Sequence, residues 1–289
     1  MKSIKYFVIC IGLIYNLNAN SQLTNLAHGS KVFNTFITPG NPGSPYGDIL
    51  FSRDGNDIYM IENTEFATSF VSKAEVTRDI QGNVIAMGEF VTVFSTPFID
   101  TGLTYAPNSD TLFYYITNAG VTHRTSKGLQ EVYVDSNYND DYGGLAFIPE
   151  KYSNGGQLLK VDFVNGEIWK HQVSDDGDET YTLSPATLVS SLVEMELGDI
   201  EYITQGPLSD HLIIANYIDE TFSLFTIPVN SQTGLPEENP VMTPFASTLG
   251  GNWGLAIDPI TNNLWVVNIL TPLLTQIVFN DVVFNNGFE

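Results

Sequence analysis

Three acidic side chains stand at corresponding places in a phrase that the sequence repeats, and they are the residues best suited to chemistry. The copies begin at Gly47, Thr101, Gly143, Gly198 and Trp253. Alignment of the copies puts Asp48, Gly102, Gly144, Asp199 and Gly254 at one position. Two residues further along, on the same strand face, stand Leu50, Thr104, Ala146, Glu201 and Ala256. Asp48, Asp199 and Glu201 are therefore carboxylates at positions where the other copies have glycine or an uncharged side chain.

Carboxylates that converge on the centre of a ring of strands suit two kinds of chemistry. Asp48, Asp199 and Glu201 offer oxygen ligands of the kind that bind a hard cation such as Ca²⁺. They are also candidate acid and base groups of a glycoside hydrolase or a lyase. Retaining hydrolysis would need two carboxyl groups about 5–5.5 Å apart, and inverting hydrolysis about 6.5–9.5 Å. The structural alternative is that each carboxylate accepts backbone N–H bonds at the mouth of its strand.

Two further features are candidates for ligand binding. Asp135, Asn137, Asn139 and Asp141 place oxygen ligands at alternate positions, as at the start of a calcium loop. Asp140 stands where such a loop has glycine, so a solvated loop is the competing interpretation. Trp253 lies at the mouth of a repeated strand, where it is a candidate for ligand contact and, alternatively, for packing within the sheet.

Polar residues end the second strand of every copy, at Asn63, Asn118, Asp162, Asn216 and Asn268. Short polar side chains at strand ends bond to nearby backbone groups. Five copies in phase predict structural caps rather than one binding site.

The repeated phrase predicts an all-β propeller of five four-stranded blades. Each copy is a short apolar strand, a polar turn and a second apolar strand, which cannot bury its own apolar faces and must stack on other copies. The markers Ile49, Leu103, Leu145, Ile200 and Leu255 are separated by 54, 42, 55 and 55 residues. A four-stranded blade needs about 40–50 residues, so each step holds one blade.

The last blade lacks a fourth strand at its own end, and the segment Lys31–Ile37 is expected to supply it. A ring closed by pairing its N-terminal and C-terminal strands in one sheet has no exposed sheet edge at the closure. We therefore expect one domain over residues 22–289, with residues 281–289 as a tail or a sorting tag.

Residues 1–21 predict a cleaved secretory signal. Lys2 and Lys5 precede an apolar run from Tyr6 to Tyr15, which is well short of the ~20 apolar residues of a spanning helix. We expect cleavage after Ser21 and export to the periplasm or the extracellular space, without membrane insertion of the mature chain. The one cysteine, Cys10, lies in this signal, which excludes disulfides, thiol catalysis and Cys-based zinc sites from the mature protein.

The net charge of the protein favours some classes of binding partner over others. The whole chain carries a net charge of −22, and loss of the two signal lysines leaves nine basic against 33 acidic residues, or −24. A surface this acidic repels phosphate backbones, so nucleic acid is not an expected partner. It suits solubility in salty water, divalent cations and basic partners. No nucleophile elbow, phosphate loop or Ser-x-x-Lys pair occurs in the sequence.

Four motifs follow one another in the second half of the chain. They are GGLAF-P from Gly143, GGQL from Gly155, G-x-I-W from Gly166, and GLA-DP…LW from Gly254 to Trp265. In order and spacing this stretch, residues 143–279, resembles a group of exported bacterial β-propeller proteins of unassigned function. The last motif also resembles NHL-type propellers, a class of binding scaffolds and a few lyases. The first two blades match only the general repeat, and the ending FNNGFE departs from the apolar sorting tails of many group members.

The function expected from these features is non-catalytic binding by a secreted, monomeric propeller. The partner, a protein, a glycan or a small ligand, would bind across one propeller face, because loops from every blade meet there on a rigid support. Trp253, Asp48 and Asp199 are the candidate ligand-binding residues. The alternative is a channel enzyme that uses Asp48, Asp199 and Glu201 as its catalytic carboxylates.

Overall fold

The computed structural model describes residues 26, 30–37, 46–64, 68–97, 99–107, 109–116, 120–125, 128–133, 143–177, 180–192, 195–218, 221–248, 252–268 and 273–279. Regular secondary structure in these ranges consists of 23 strands, with no helix. In the same ranges there is accordingly no helix with the length and apolar character needed to span a bilayer. The prediction of an all-β protein is confirmed.

The first strand of the chain is β1 (Lys31–Ile37). The next sheet contains β2 (Tyr46–Phe51), β3 (Asp57–Thr64), β4 (Thr68–Arg78), β5 (Val84–Met87) and β6 (Val91–Pro97). Neighbouring strands are antiparallel in the order β2-β3-β4, and β5 and β6 both pair with β4. The part of β4 that pairs with β5 extends beyond the rest of the sheet as a hairpin.

The second sheet has the order β7-β8-β9-β10, with β7 (Ile99–Tyr105), β8 (Leu112–Ile116), β9 (Gly120–Thr125) and β10 (Gly128–Tyr133). The third sheet and its inserted hairpin contain β11 (Leu145–Phe147), β12 (Leu158–Asp162), β13 (Glu167–His171), β14 (Val173–Gly177), β15 (Thr180–Leu183) and β16 (Thr187–Ser191). Its order is β11-β12-β13-β16, and β14 pairs with β15 as a separate ribbon.

The fourth sheet follows chain order, with β17 (Leu197–Ile203), β18 (His211–Ile218), β19 (Thr221–Pro228) and β20 (Thr243–Thr248). The last sheet contains β21 (Asn252–Ile257), β22 (Leu264–Asn268) and β23 (Leu273–Val278). Its fourth member is β1, which runs antiparallel to β23 from the pair Lys31–Val278 to the pair Ile37–Leu273.

The first strands of the five sheets, which we call the inner strands, contact one another. β2 contacts β7, β7 contacts β11, β11 contacts β17, β17 contacts β21, and β21 contacts β2. Inner strand β17 also contacts β7, which is not its neighbour in this series. The sheets therefore have a propeller-like arrangement, and their inner strands approach closely at the centre.

Apolar side chains fill the spaces between neighbouring sheets, as stacking of the repeats requires. The clusters each combine residues of two sheets, for example Val161 with Ile214, and Leu103 with Ile61. In the cluster between the last and the first sheet, buried Trp265 stacks on Phe36 of β1 at 5.5 Å and meets Phe51 of β2 edge-on at 5.4 Å.

The turn between the first two strands uses the same backbone chemistry in four sheets. Gly55, Gly156, Asp210 and Asn262 have φ angles of 70°, 79°, 61° and 56°. Glycine adopts such a left-handed conformation freely, and Asp and Asn tolerate it better than other residues. The polar turn of the repeated phrase is thus a requirement of backbone geometry.

Candidate functional site

The aligned positions of the repeated phrase come together where the inner strands meet. A Cβ on Gly144 would lie 2.2 Å from Asp199 Oδ1, and a Cβ on Gly254 would lie 2.7 Å from Asp48 Cα. The backbone of Gly102 lies within hydrogen-bonding distance of Asp48. Alignment of the copies therefore identified residues that are neighbours in space, and glycine is needed there because the strands are in van der Waals contact.

Asp48 accepts three backbone hydrogen bonds. Its side chain is 1% exposed. Oδ1 accepts the N–H of Ile49 at 2.7 Å, while Oδ2 accepts the N–H groups of Gly102 at 3.1 Å and Leu103 at 2.5 Å. The two bonds to Oδ2 join β2 to β7. Asp48 thus accepts backbone N–H bonds at the strand mouth, as the structural alternative from the sequence supposed.

Asp199 has the corresponding role in β17 and is equally buried, at 1% exposure. Its Oδ2 accepts the N–H of Leu255 in β21 at 2.7 Å. Its carboxyl group also forms a side-chain hydrogen bond with Asp48. The two acids nominated by sequence therefore lie close together, since Asp199 bonds to Leu255 and the preceding Gly254 packs against the Asp48 backbone.

Burial dominates the electrostatics of the three carboxyl groups. It raises the pKa of Asp48 to about 6, against the opposing effect of its backbone N–H donors and Asp199. Burial also raises the pKa of Asp199, and the charges of Asp48 and Glu201 raise it further. The pKa of Glu201 is raised by burial and then by the charge of Asp48. Glu201 is half-buried, so it is the least buried of the three carboxyl-bearing residues and the one with some surface to offer a ligand.

Metal binding by these residues finds little support in the geometry. Over the ranges that the structure describes, no group of three or more His, Cys, Asp or Glu side chains is arranged to hold a metal ion. The N–H donors occupy three of the four lone-pair positions of Asp48. The calcium-loop candidates Asp135, Asn137, Asn139 and Asp141 lie outside the described residues. So does the side chain of Trp253, whose backbone belongs to β21.

The polar residues at the ends of the second strands are structural where they are described. Asp162 accepts N–H bonds from Val164 and Asn165, within its own turn. Asn216 accepts the N–H of Glu196, which precedes the inner strand β17. Both are buried. The predicted capping role is confirmed at these positions, and Asn118 lies outside the described residues.

The inner strands define two faces of the molecule. We call the face where they begin, next to Asp48 and Asp199, the entry face. We call the opposite face, which carries the first-hairpin turns at residues 52–56, 106–111, 148–157, 204–210 and 258–263, the turn face.

Ion pairs that the sequence did not indicate join neighbouring sheets at the turn face. Asp258 is fully buried and accepts two bonds from Arg78, at 2.7 and 3.1 Å. Arg78 also donates to the carbonyls of Gly55 and Gly82, so it joins the β4–β5 hairpin to the last sheet. Lys151 donates to Asp210 Oδ1 at 2.7 Å, between the third and fourth sheets. The Asp258-Pro259 turn was a weak signal for such an acceptor, but nothing in the sequence indicated Arg78 as its partner.

A shallow depression of about 260 Å³ lies at the outer edge of the third sheet. Leu188 and Ser190 of β16 line one side, and Glu238 and Asn239 line the other. The carbonyl of Glu238 accepts bonds from the Ser191 N–H and the Ser190 hydroxyl, so the two walls are joined. None of the residues nominated from the sequence lies there.

Solved structures share the fold at low sequence identity. A Trichoderma reesei enzyme of carbohydrate-active family AA12 matches with a TM-score of 0.53 and 11% identity, over 92% of this chain and 100% of its own. The PQQ domain of Coprinopsis cinerea pyranose dehydrogenase matches with a TM-score of 0.50 and 11% identity, over 90% and 97%. Myxococcus xanthus glutaminyl cyclase matches with a TM-score of 0.50 and 12% identity, over 86% and 95%.

These likenesses support the propeller fold and nothing more specific. The distant neighbours include enzymes of different chemistry, and a shared fold does not carry a shared site. No protein-family model and no curated protein sequence matches the chain.

Proposed function

We propose that this protein is a secreted, non-catalytic propeller of five four-stranded blades that binds a partner on its entry face. The architecture is supported by the pairing of β1 with β23 and by the inner-strand contacts that run from β2 back to β2. In this proposal β1 closes the ring, and residues 22–289 form one monomeric domain. The motifs shared with exported bacterial β-propeller proteins and the signal-like N-terminus support export to the periplasm or beyond.

The observation that carries the non-catalytic proposal is the burial and mutual pairing of Asp48 and Asp199. A general acid or base has to come within hydrogen-bonding distance of the substrate proton. Both residues are 1% exposed, and their carboxyl groups accept N–H bonds from the backbone of neighbouring strands. These contacts join inner strands, so the two acids stabilise the scaffold. The enzyme alternative then depends on Glu201 alone.

The entry face is the better binding surface because chain extensions cover the turn face. The β4–β5 hairpin bonds to the turn at Asp258. The β14–β15 hairpin packs Tyr181 on Phe113 of the second sheet, with ring centroids 5.3 Å apart. The segment between β19 and β20 bonds to the third sheet, where Ser153 N–H donates to the carbonyl of Gln232. Each extension reaches the preceding sheet, which fills the grooves between sheets on that face.

The charge of the sequence between strand ends favours a basic partner. In sequence, the segments between the strand ends at the entry face, residues 38–45, 65–67, 98, 117–119, 134–144, 163–166, 192–196, 219–220, 249–251 and 269–272, contain no Lys or Arg. Their acidic residues are Glu65, Asp135, Asp140, Asp141, Glu194, Glu196, Asp219 and Glu220. Clustered charge of one sign attracts partners of the opposite sign and raises their association rate. A protein with a basic surface is therefore the first partner to test, ahead of a glycan or a small ligand.

Binding can be tested by probing the mature protein with arrays of basic peptides and of glycans, followed by titration calorimetry of each positive probe. The variant D219N/E220Q removes two charges from the segment between β18 and β19, and D175N/D176N removes two from the β14–β15 hairpin as a matched control. We expect the first to weaken binding several-fold at low salt and the second to leave it unchanged. Equal effects of both variants would mean that only total charge matters and would contradict the choice of face.

The enzyme alternative has its own test. Mature protein is incubated with nitrophenyl glycosides and with uronic-acid polymers, for hydrolase and lyase activity respectively. The proposal predicts no turnover. Turnover that the conservative variant E201Q abolishes would establish the enzyme and overturn the non-catalytic proposal.

A further inference from the structure

Asp48 and Asp199 meet at the centre of the fold, and their hydrogen bonds are unequal. A carboxylate offers about four lone-pair positions. Asp48 fills three of these with the N–H groups of Ile49, Gly102 and Leu103. Asp199 accepts one backbone N–H, from Leu255, through Oδ2. Its other oxygen, Oδ1, lies 2.2 Å from the position that a Cβ on residue 144 would take, so only glycine fits there.

A proton shared by the two groups fits this geometry, because both residues are buried and close together. Two ionised carboxylates in contact inside a protein repel strongly, because little solvent screens them. One proton turns that repulsion into a charge-assisted hydrogen bond. Since Asp48 already holds three N–H donors, it is the group best stabilised as the anion. Asp199 is then the protonated partner, and its O–H can fill the remaining lone-pair position of Asp48.

We propose that Asp48 and Asp199 share one bound proton, which Asp199 donates to Asp48, and that this proton holds the inner strands together. The pair and its bonds join β2 and β17 to each other, β2 to β7, and β17 to β21. The close contact of Asp199 with Gly144 adds β11. All inner strands are therefore linked through two side chains, which makes the proton a structural ligand of the whole arrangement.

The other groups that face the pair do not replace the proton. Glu201, two residues along β17, is the third titratable group, and its charge disfavours ionisation of Asp199. From β7, β11 and β21 the facing residues are Gly102, Gly144 and Gly254, which contribute backbone and no charge. The groups that shift the pKa values of Asp48 and Asp199 are each other, Glu201, backbone N–H donors and burial.

The sign of the pH dependence follows from the raised pKa values. In the unfolded chain an Asp titrates near pH ~3.9. In the folded protein the pKa of Asp48 is about 6 and that of Asp199 is also raised, as values that belong to the coupled pair. The stabilisation by the shared proton is complete below the pKa of an unfolded Asp and is lost as the pH rises through the pKa values of the folded pair. Between the pKa of the unfolded chain and those of the folded pair, the folded state binds one proton that the unfolded state does not.

The test compares the urea unfolding of wild type, D199N and D110N between pH 4 and 8. The D199N amide can donate to Asp48 and accept from Leu255 without a titrating proton. Asp110 is 93% exposed, so D110N makes the same charge change outside the centre. In wild type and D110N we expect the equilibrium constant of unfolding to rise with pH. The rise should exceed that in D199N by up to about tenfold per pH unit. This comparison cancels the general repulsion of an acidic protein.

If the unfolding constants of wild type and D199N have the same pH dependence, the proposal is wrong. It is also wrong if E201Q alone removes the pH dependence, because the bound proton would then belong to Glu201. If D199N does not fold, NMR of wild type with ¹³C-labelled Asp carboxyl groups decides. We expect a buried Asp carboxyl to keep the chemical shift of the protonated form at pH 5.5, where exposed Asp residues are ionised. Titration of every Asp below pH 5 would refute the shared proton.

Discussion

Replacement of Gly144 by alanine tests whether the inner strands pack as closely as the structure indicates. The added Cβ would lie 2.2 Å from Asp199 Oδ1, 2.6 Å from Asp199 Cα and 2.9 Å from the Ile200 nitrogen. Two of these three atoms are backbone, and the third belongs to a side chain fixed by its bond to Leu255. The contacts can be relieved only by moving β11 away from β17.

The expected cost is at the upper end of the range for overpacked cores. Such substitutions cost about 1–3 kcal/mol when the neighbours can adjust, and more when they cannot. We therefore expect G144A to lower the free energy of unfolding by about 3 kcal/mol. Gly144 does not have a positive φ angle, so backbone strain does not contribute to this value.

The matched control is G88A, because Gly88 is exposed and its added Cβ would meet nothing closer than the Glu75 carbonyl oxygen at 3.6 Å. Both variants lose the same unfolded-state entropy, so their difference isolates the contact. With a urea m-value of about 3 kcal/mol/M, G144A should unfold at a urea concentration about 1 M lower than G88A. Equal urea midpoints for G144A and G88A would refute the close packing of β11 against β17. They would also refute the contact between Asp199 and Gly144.

The remaining predictions concern other parts of the molecule. D258N leaves Arg78 without its buried partner and should lower the free energy of unfolding in urea by about 3–5 kcal/mol. D110N, at an exposed ion pair, should lower it by less than about 0.5 kcal/mol. Similar values for both variants would contradict the importance of burial. F36A removes the ring that stacks on Trp265 and should cost about 2 kcal/mol, and an unchanged stability would argue against a structural role for β1. If residues 135–141 bind calcium, the metal at millimolar concentration should raise the melting temperature relative to a chelator, and an absent shift would count against the site.

The sequence was sufficient for the strands because their determinants are local. The segment from Lys31 to Ile37 was predicted as the strand missing from the last blade and coincides with β1. Repetition of one strand–turn–strand phrase made each copy confirm the others, and the all-β, propeller-like arrangement followed from the need to bury the apolar faces.

The sequence was also sufficient for which positions would be neighbours, but not for what their side chains would do. Alternation along a strand identified the face shared by Asp199 and Glu201. It did not distinguish a face that lines an open channel from one that packs at a closed centre. The added contact of β17 with β7 and the glycines opposite the acids decided that question.

The turns with left-handed backbone and the cap at Asp162 were determined by sequence alone, because each depends on residues a few positions apart. The pairing of Asp48 with Asp199 and of Arg78 with Asp258 was decided only by tertiary structure. These pairs join residues from different sheets, and whether a carboxyl meets water, a cation or another acid depends on distances that no local pattern contains. The chemistry at the centre of this protein is therefore a property of how its sheets pack.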